Sequence, residues 1–138
     1  KNVSQICIFF LSSSGGVGSV TLKQTERSIT KTTGKIARVN CQVSGVSLDN
    51  AIIHWYRHRP NEGPERILYH SSEVKYDPGF TETKYSAYKV NDNFVLRISN
   101  VAEEDNGYYY CAYWDVHSGA VLCKACTKIL NKVKCWLE

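Results

Sequence analysis

The chain has 138 residues, 43% of them hydrophobic and 22% charged, with a formal net charge of +4. That balance excludes a disordered segment, whose low hydrophobicity and high charge leave no core to bury. The cations form no run and no stripe interleaved with aromatics, so no nucleic acid partner is expected. No stretch reaches the roughly 20 apolar residues of a membrane span, so no membrane segment is expected either.

In chain order, residues 1–19 read as lying outside the domain. The apolar run from Ile6 to Leu11 is broken by Ser12-Ser13-Ser14-Gly15-Gly16. The tail of a signal peptide is one reading, but the run is short and no basic region with a Met precedes it. The chain has no Met at all, which points to a fragment. The sequon Asn2-Val3-Ser4 permits glycosylation in a secreted chain.

From Val20 onward short strand candidates alternate with turn residues, an all-β pattern. Ala37, Val39, Cys41 and Val43 alternate with Arg38, Asn40 and Gln42, so one face of that strand meets a core. Ile53 and Trp55 alternate with His54 and Tyr56. Arg59 to Pro64 is a turn, Arg66 to Tyr69 a short strand, and His70 to Gly79 reads as irregular. Tyr85 to Val90 and Asn93 to Ser99 form a hairpin around Asn91-Asp92. Ala102 to Gly107 is acidic and turn-like, and Tyr108 to Trp114 is the last clear strand. No segment carries helical periodicity.

Cys41, Trp55, Leu96 and Asp105-Asn106-Gly107-Tyr108-Tyr109-Tyr110-Cys111 then stand out together. Alone, each is weak: two Cys can be buried thiols, and a lone Trp is usually core. Their order and spacing resemble an immunoglobulin sandwich, in which a disulfide joins the sheets, a Trp packs on it and a Tyr two residues before the second Cys makes a corner. The resemblance implies a Cys41–Cys111 bond, a core of Trp55, Leu96 and Tyr109, and an oxidising compartment. The fold class expected is an all-β, V-type Greek-key sandwich of two antiparallel sheets.

Ile53-His54-Trp55-Tyr56-Arg57-His58-Arg59-Pro60 is similar to the third strand of T-cell receptor gamma variable regions. Ile67-Leu68-Tyr69, Lys84-Tyr85-Ser86-Ala87-Tyr88 and Cys111-Ala112-Tyr113-Trp114-Asp115 resemble later stretches of the same regions. The resemblance covers residues 20–115. It implies antigen recognition by a gamma-delta receptor on the outer side of the plasma membrane, paired with a delta chain and signalling through CD3 subunits by regions outside this chain. The antigen itself is not readable. Another V-set surface receptor or an antibody light-chain variable domain is the alternative.

Several site residues follow from that resemblance. Asp105 pairs with a basic residue at the base of the sheet, for which Lys84 is the best match. Tyr56, His58, Pro64, Arg66 and Tyr110 are expected together on an exposed or partner-facing surface, because alternation turns Tyr56 and His58 away from Trp55. An ordinary solvated face is the competing explanation, for which large aromatic residues are a poor choice. Three loops are expected to meet ligand, carrying Ser47, Asp49 and Asn50, then His70, Ser71 and Glu73, then Tyr113, Trp114 and Asp115.

After Asp115 the sequence departs from the family. A Phe-Gly-x-Gly segment that makes the last strand is absent. His117-Ser118 with the following codon can be encoded by CACAGTG, the heptamer of a recombination signal, and Thr127-Lys128-Ile129 by an A-rich nonamer at the longer spacer distance. Residues 116–138 are therefore expected to be read-through from an unrearranged variable segment, foreign to the fold. Ala120 to Cys123 has the β-propensity to pair weakly, whereas Asn131 to Glu138 is expected to have no place.

Other motifs carry little chemistry. Cys123-x-x-Cys126 lacks the four ligands of a structural zinc site and a βαβ context for redox work. His54 and His58 share a strand face, but no Ser, Cys or Asp completes a nucleophilic set. No enzymatic activity, cofactor or metal is expected.

Overall fold

The computed structural model describes residues 20–115, 120–122 and 127–132. The readings made of residues 1–19, and of Cys123, Cys126 and Cys135, lie outside them. Among the described residues the chain forms eleven strands: β1 (Thr21–Lys23), β2 (Ser28–Thr32), β3 (Ala37–Ser44), β4 (Ile53–His58), β5 (Glu65–His70), β6 (Val74–Tyr76), β7 (Tyr85–Val90), β8 (Asn93–Ile98), β9 (Gly107–Asp115), β10 (Ala120–Leu122) and β11 (Thr127–Lys132). One 3-10 turn, Glu103–Asp105, precedes β9.

The strands build two sheets. One has the order β1-β3-β8-β7. The other runs β2-β11-β9-β4-β5-β6, with β10 also paired to β9. Alternation accounts for the centre of each. In β3 every second residue from Ala37 to Val43 is buried, and Val39 and Cys41 stand opposite Leu96 and Phe94 of β8. In β4 and β9, Trp55 and Cys111 are register partners. The β7–β8 turn has Asn91 in the left-handed region at φ 53°, a conformation Asn tolerates better than most residues.

Cys41 and Cys111 are bonded, 70 residues apart in sequence, with Cα atoms 6.3 Å apart. Trp55, Phe94, Leu96 and Tyr109 share their fully buried core. Each such side chain contributes about 1.5–3 kcal/mol by leaving water. A bond closing a loop of this length stabilises by about 4 kcal/mol in the chain-entropy account.

Gly107 begins β9 where it crosses the backbone of β4. A Cβ there would lie 2.7 Å from the His58 carbonyl oxygen, and the backbone has φ +155°. Both facts make glycine the residue that lets Tyr108–Cys111 enter the sheet at this height.

The fold extends past Asp115, and this corrects the expectation for the tail. β11 pairs in parallel with β2, Ile129 opposite Ile29, and antiparallel with β9, Thr127 opposite Tyr109. Ile129 is 0% exposed. Asn131, expected to have no place, stands opposite Lys31 in the sheet. The reason is a polar clamp. Gln24 Nε2 donates to Thr127 Oγ1 (2.9 Å) and the Tyr109 carbonyl (3.1 Å), and its Oε1 accepts from the Cys111 amide (3.0 Å). Thr127 Oγ1 donates to the Glu26 carbonyl (2.6 Å), and the Asn131 amide donates to Asn106 Oδ1 (2.6 Å).

Candidate functional site

The outer face of β4, β5 and β9 is aromatic and basic. Tyr56 stacks on Tyr110 with ring centroids 5.3 Å apart and planes within 8°. His54 lies 6.4 Å from Tyr56, 5.8 Å from Tyr69 and 6.3 Å from Trp114. Arg66 reaches this group from β5: its guanidinium lies over Tyr69 at 5.0 Å, bonds His54 Nδ1 at 3.1 Å and donates through Nε to Asp77 Oδ1 at 2.8 Å. Stacked rings and a planar guanidinium offer a wide contact area with few rotatable bonds, a chemistry suited to protein recognition.

Burial and charge keep the His54 imidazole neutral. Its pKa is lowered to about 4, first by desolvation and then by the Arg66 cation, with Asp77 opposing. A neutral His54 can accept from Arg66, so the cluster holds one cation and one carboxylate around it.

The five residues expected on this surface are not equally exposed. Tyr56, His58 and Arg66 are half-buried, and Pro64 is exposed in the β4–β5 turn. Tyr110 is 0% exposed, which corrects the expectation of an open position. Its parity places it beside Tyr56, but β9 is a central strand and the ring is enclosed. Trp114 also joins the cluster, as its parity with Tyr110 along β9 requires, and so do Asp77 and Tyr69, the last of which alternation from Arg66 does not indicate. A register shift between Trp55 and Tyr56 is the cause: Arg66 pairs with Tyr56 and Tyr69 with His54, with Leu68 opposite Trp55. Simple alternation along β5 therefore misassigns its faces.

Loop candidates gather at one end, as the registers of Ile53 with His70 and with Tyr113 require. Ser47, Asp49, Asn50 and Glu73 are exposed there, and Ser71 is half-buried. Three expectations change. His70 ends β5 and faces inward, 7% exposed, with its ring edge-on to Phe94 at 5.4 Å. Its pKa is lowered by burial and by Lys89. Tyr113, Trp114 and Asp115 lie in β9, not in a loop, because Leu122, Val121 and Ala120 pair opposite them. The stretch from His70 to Gly79, read as irregular, contains β6, whose Lys75 pairs with Tyr69.

At the opposite end Asp105 is buried. Its Oδ2 accepts from Lys84 Nζ at 2.6 Å and from the Ala102 amide at 2.9 Å. Tyr109 donates its hydroxyl to the Asp105 carbonyl at 2.9 Å. Burial raises the Tyr109 pKa, so the phenol stays protonated and remains a donor. Among the described residues no group of three or more metal-ligating side chains occurs, and no helix is long and apolar enough to cross a membrane.

Residues 24–122 match the family model for the immunoglobulin V-set domain. A human protein described as a probable non-functional T cell receptor gamma variable is 34% identical over 113 residues, covering 80% of this chain and 94% of the relative. Human T cell receptor gamma variable 2 is 35% identical over 101 residues, covering 70% and 84%. A solved marsupial T cell receptor superimposes with a TM-score of 0.74 at 33% identity, covering 83% of this chain and 52% of the solved one. The chain thus spans about half the length of that receptor chain. V-set receptor domains of this kind recognise and do not catalyse; with its two-sheet disulfide-linked sandwich, the chain belongs to the T cell receptor gamma variable family of immunoglobulin V-set domains.

Proposed function

We propose that the chain is the antigen-recognition variable domain of a gamma-delta receptor, exposed on the outer side of the plasma membrane. The observation that carries the pairing part of this reading is the stacked Tyr56–Tyr110 pair with His54 and Arg66 beside it, on the sheet face turned away from Trp55. A delta variable domain docks there, against Tyr56, His58, Pro64 and Arg66, with Tyr110 supporting Tyr56 from below. The loop end carrying Ser47, Asp49, Asn50 and Glu73 meets an antigen, and CD3 subunits act through regions outside this chain. The test is sedimentation of the oxidised chain with an isolated delta variable domain. A 1:1 complex that Tyr56→Ala and Arg66→Glu abolish supports the reading. A complex indifferent to both substitutions, or none at all, removes it.

We further propose that residues 116–138 are translated from an unrearranged variable segment. Thr127–Lys132 occupies the edge that a joining segment fills in a rearranged receptor, without the Phe-Gly-x-Gly bulge. A graft of such a joining segment is expected to raise the unfolding midpoint. The flanking genomic DNA decides the origin: a base string other than a heptamer and nonamer across His117 to Ile129 would end the proposal.

A further inference from the structure

The outer face of the four-stranded sheet has a charge pattern that the fold does not explain. β1, β3, β7 and β8 contain no Asp or Glu, while Lys23, Arg38, Lys89 and Arg97 are all basic. Lys89 turns away to the Leu48 carbonyl and the Phe94 ring. Arg38 and Arg97 are direct cross-strand partners, with Ser86 next in the row. Like charges directly opposite each other on a sheet are destabilising. Among the described residues neither guanidinium makes an ion pair. Arg97 donates to Ser99 Oγ at 3.0 Å. A carboxylate at the margin, Glu26, is held by the Asn40 amide at 3.2 Å.

The neighbouring rows are apolar and amide-bearing. Tyr88 pairs with Val95 and Val95 with Asn40, and Val90 pairs with Asn93. Val90 is 45% exposed. We propose that this face docks an acidic protein segment, whose carboxylates lie on Arg38 and Arg97 and whose apolar side chains lie on Tyr88 and Val90. Planar guanidinium groups match carboxylates in two-point geometry. A polyanion such as a nucleic acid or sulfated glycan draws its affinity from many phosphate or sulfate contacts, and among the described residues the strands of this face offer only Lys23, Arg38 and Arg97, set among apolar and amide-bearing rows. The surface lies on the sheet opposite Tyr56 and Tyr110, so the proposal stands apart from the pairing reading.

The test uses the full oxidised chain, isotope-labelled, titrated with a synthetic peptide of alternating glutamate and valine with one tyrosine. Amide shifts are expected to concentrate in residues 37–44 and 85–98 and to weaken as salt screens the charges. The same peptide with glutamine in place of glutamate is expected not to bind. Arg38→Glu is the decisive variant. It places a carboxylate opposite Arg97, so the domain is expected to unfold at the same or higher temperature while peptide affinity falls about tenfold or more, since like charges now meet across the interface. The proposal is overturned by an affinity that Arg38→Glu leaves unchanged, by equal binding of the glutamine peptide, or by shifts confined to the other sheet. It is also overturned by tighter binding to a heparin hexasaccharide or to phosphatidylserine vesicles than to the glutamate peptide, or by no shifts at millimolar peptide.

Discussion

At the centre of the sandwich Cys41, Trp55 and Cys111 are held by a covalent bond and by burial, whereas at the closing edge Thr127, Ile129 and Asn131 are held by one buried apolar side chain and a set of hydrogen bonds. The two regions meet at β9. The centre keeps its arrangement through apolar area and a cross-link, neither of which depends on hydrogen-bond direction. The edge depends on Gln24, a residue 103 positions before Thr127, being in place to bridge β9 and β11. A sheet edge closed in this manner is specific, and it is also the part most easily opened.

Substitutions should separate the two regions by size of effect. Replacing Cys41 and Cys111 together with Ala is expected to cost about 4 kcal/mol in denaturant unfolding under oxidising conditions. Ile129→Ala at the edge is expected to cost roughly 3 kcal/mol, as for a fully buried Ile. A cost below about 1 kcal/mol would mean that β11 is not packed on the core. Gln24→Ala removes little apolar burial but strands the Cys111 amide and takes the bridging donor from the Tyr109 carbonyl and Thr127 Oγ1, although the Thr127 hydroxyl keeps its bond to Glu26; about 2 kcal/mol is expected. Hydrogen exchange should then rise in β11 before it rises in β3, and simultaneous loss of protection would dissolve the distinction between centre and edge.

A third comparison is the pH response of the outer face. The folded-state pKa of His54, about 4, lies below its ordinary value of 6.5. Between those values the unfolded chain binds more protons than the folded one, so stability rises with pH across that window and is lost on acidification through it. His70, also lowered, acts in the same sense from the core. His54→Phe should flatten the slope of urea midpoints against pH between about 4 and 6.5 without abolishing it. An unchanged slope would show that His54 titrates as it does in water.

Much of the centre is legible in the amino-acid sequence. Alternation in Ala37 to Val43, the order of Cys41, Trp55 and Cys111, and the Asp105-to-Tyr109 spacing all express local rules of strands and corners. The edge is not legible in the same way, because Ile129 and Leu130 form too short an apolar stretch to announce a strand, and their anchors lie in a distant loop. His70 lies in β5 because Ile53 and Val74 pair with it, and it faces the core for another reason. The register shift at Trp55/Tyr56 moves β5 by one place, and a shift of one residue exchanges the inner and outer faces of a strand. For Tyr110 the face follows from parity, but its complete burial depends on what surrounds a central strand, which parity does not encode.

The closing of the larger sheet by Thr127–Lys132 is tested most directly by comparing the full chain with one ending at Asp115, both oxidised, by thermal unfolding and by amide exchange at Tyr109 and Cys111. A lower midpoint is expected for the shortened chain, with faster exchange at those two amides, which lose β11 and the Thr127 end of the Gln24 clamp. Equal midpoints with unchanged protection would show that Thr127–Lys132 does not close the sheet.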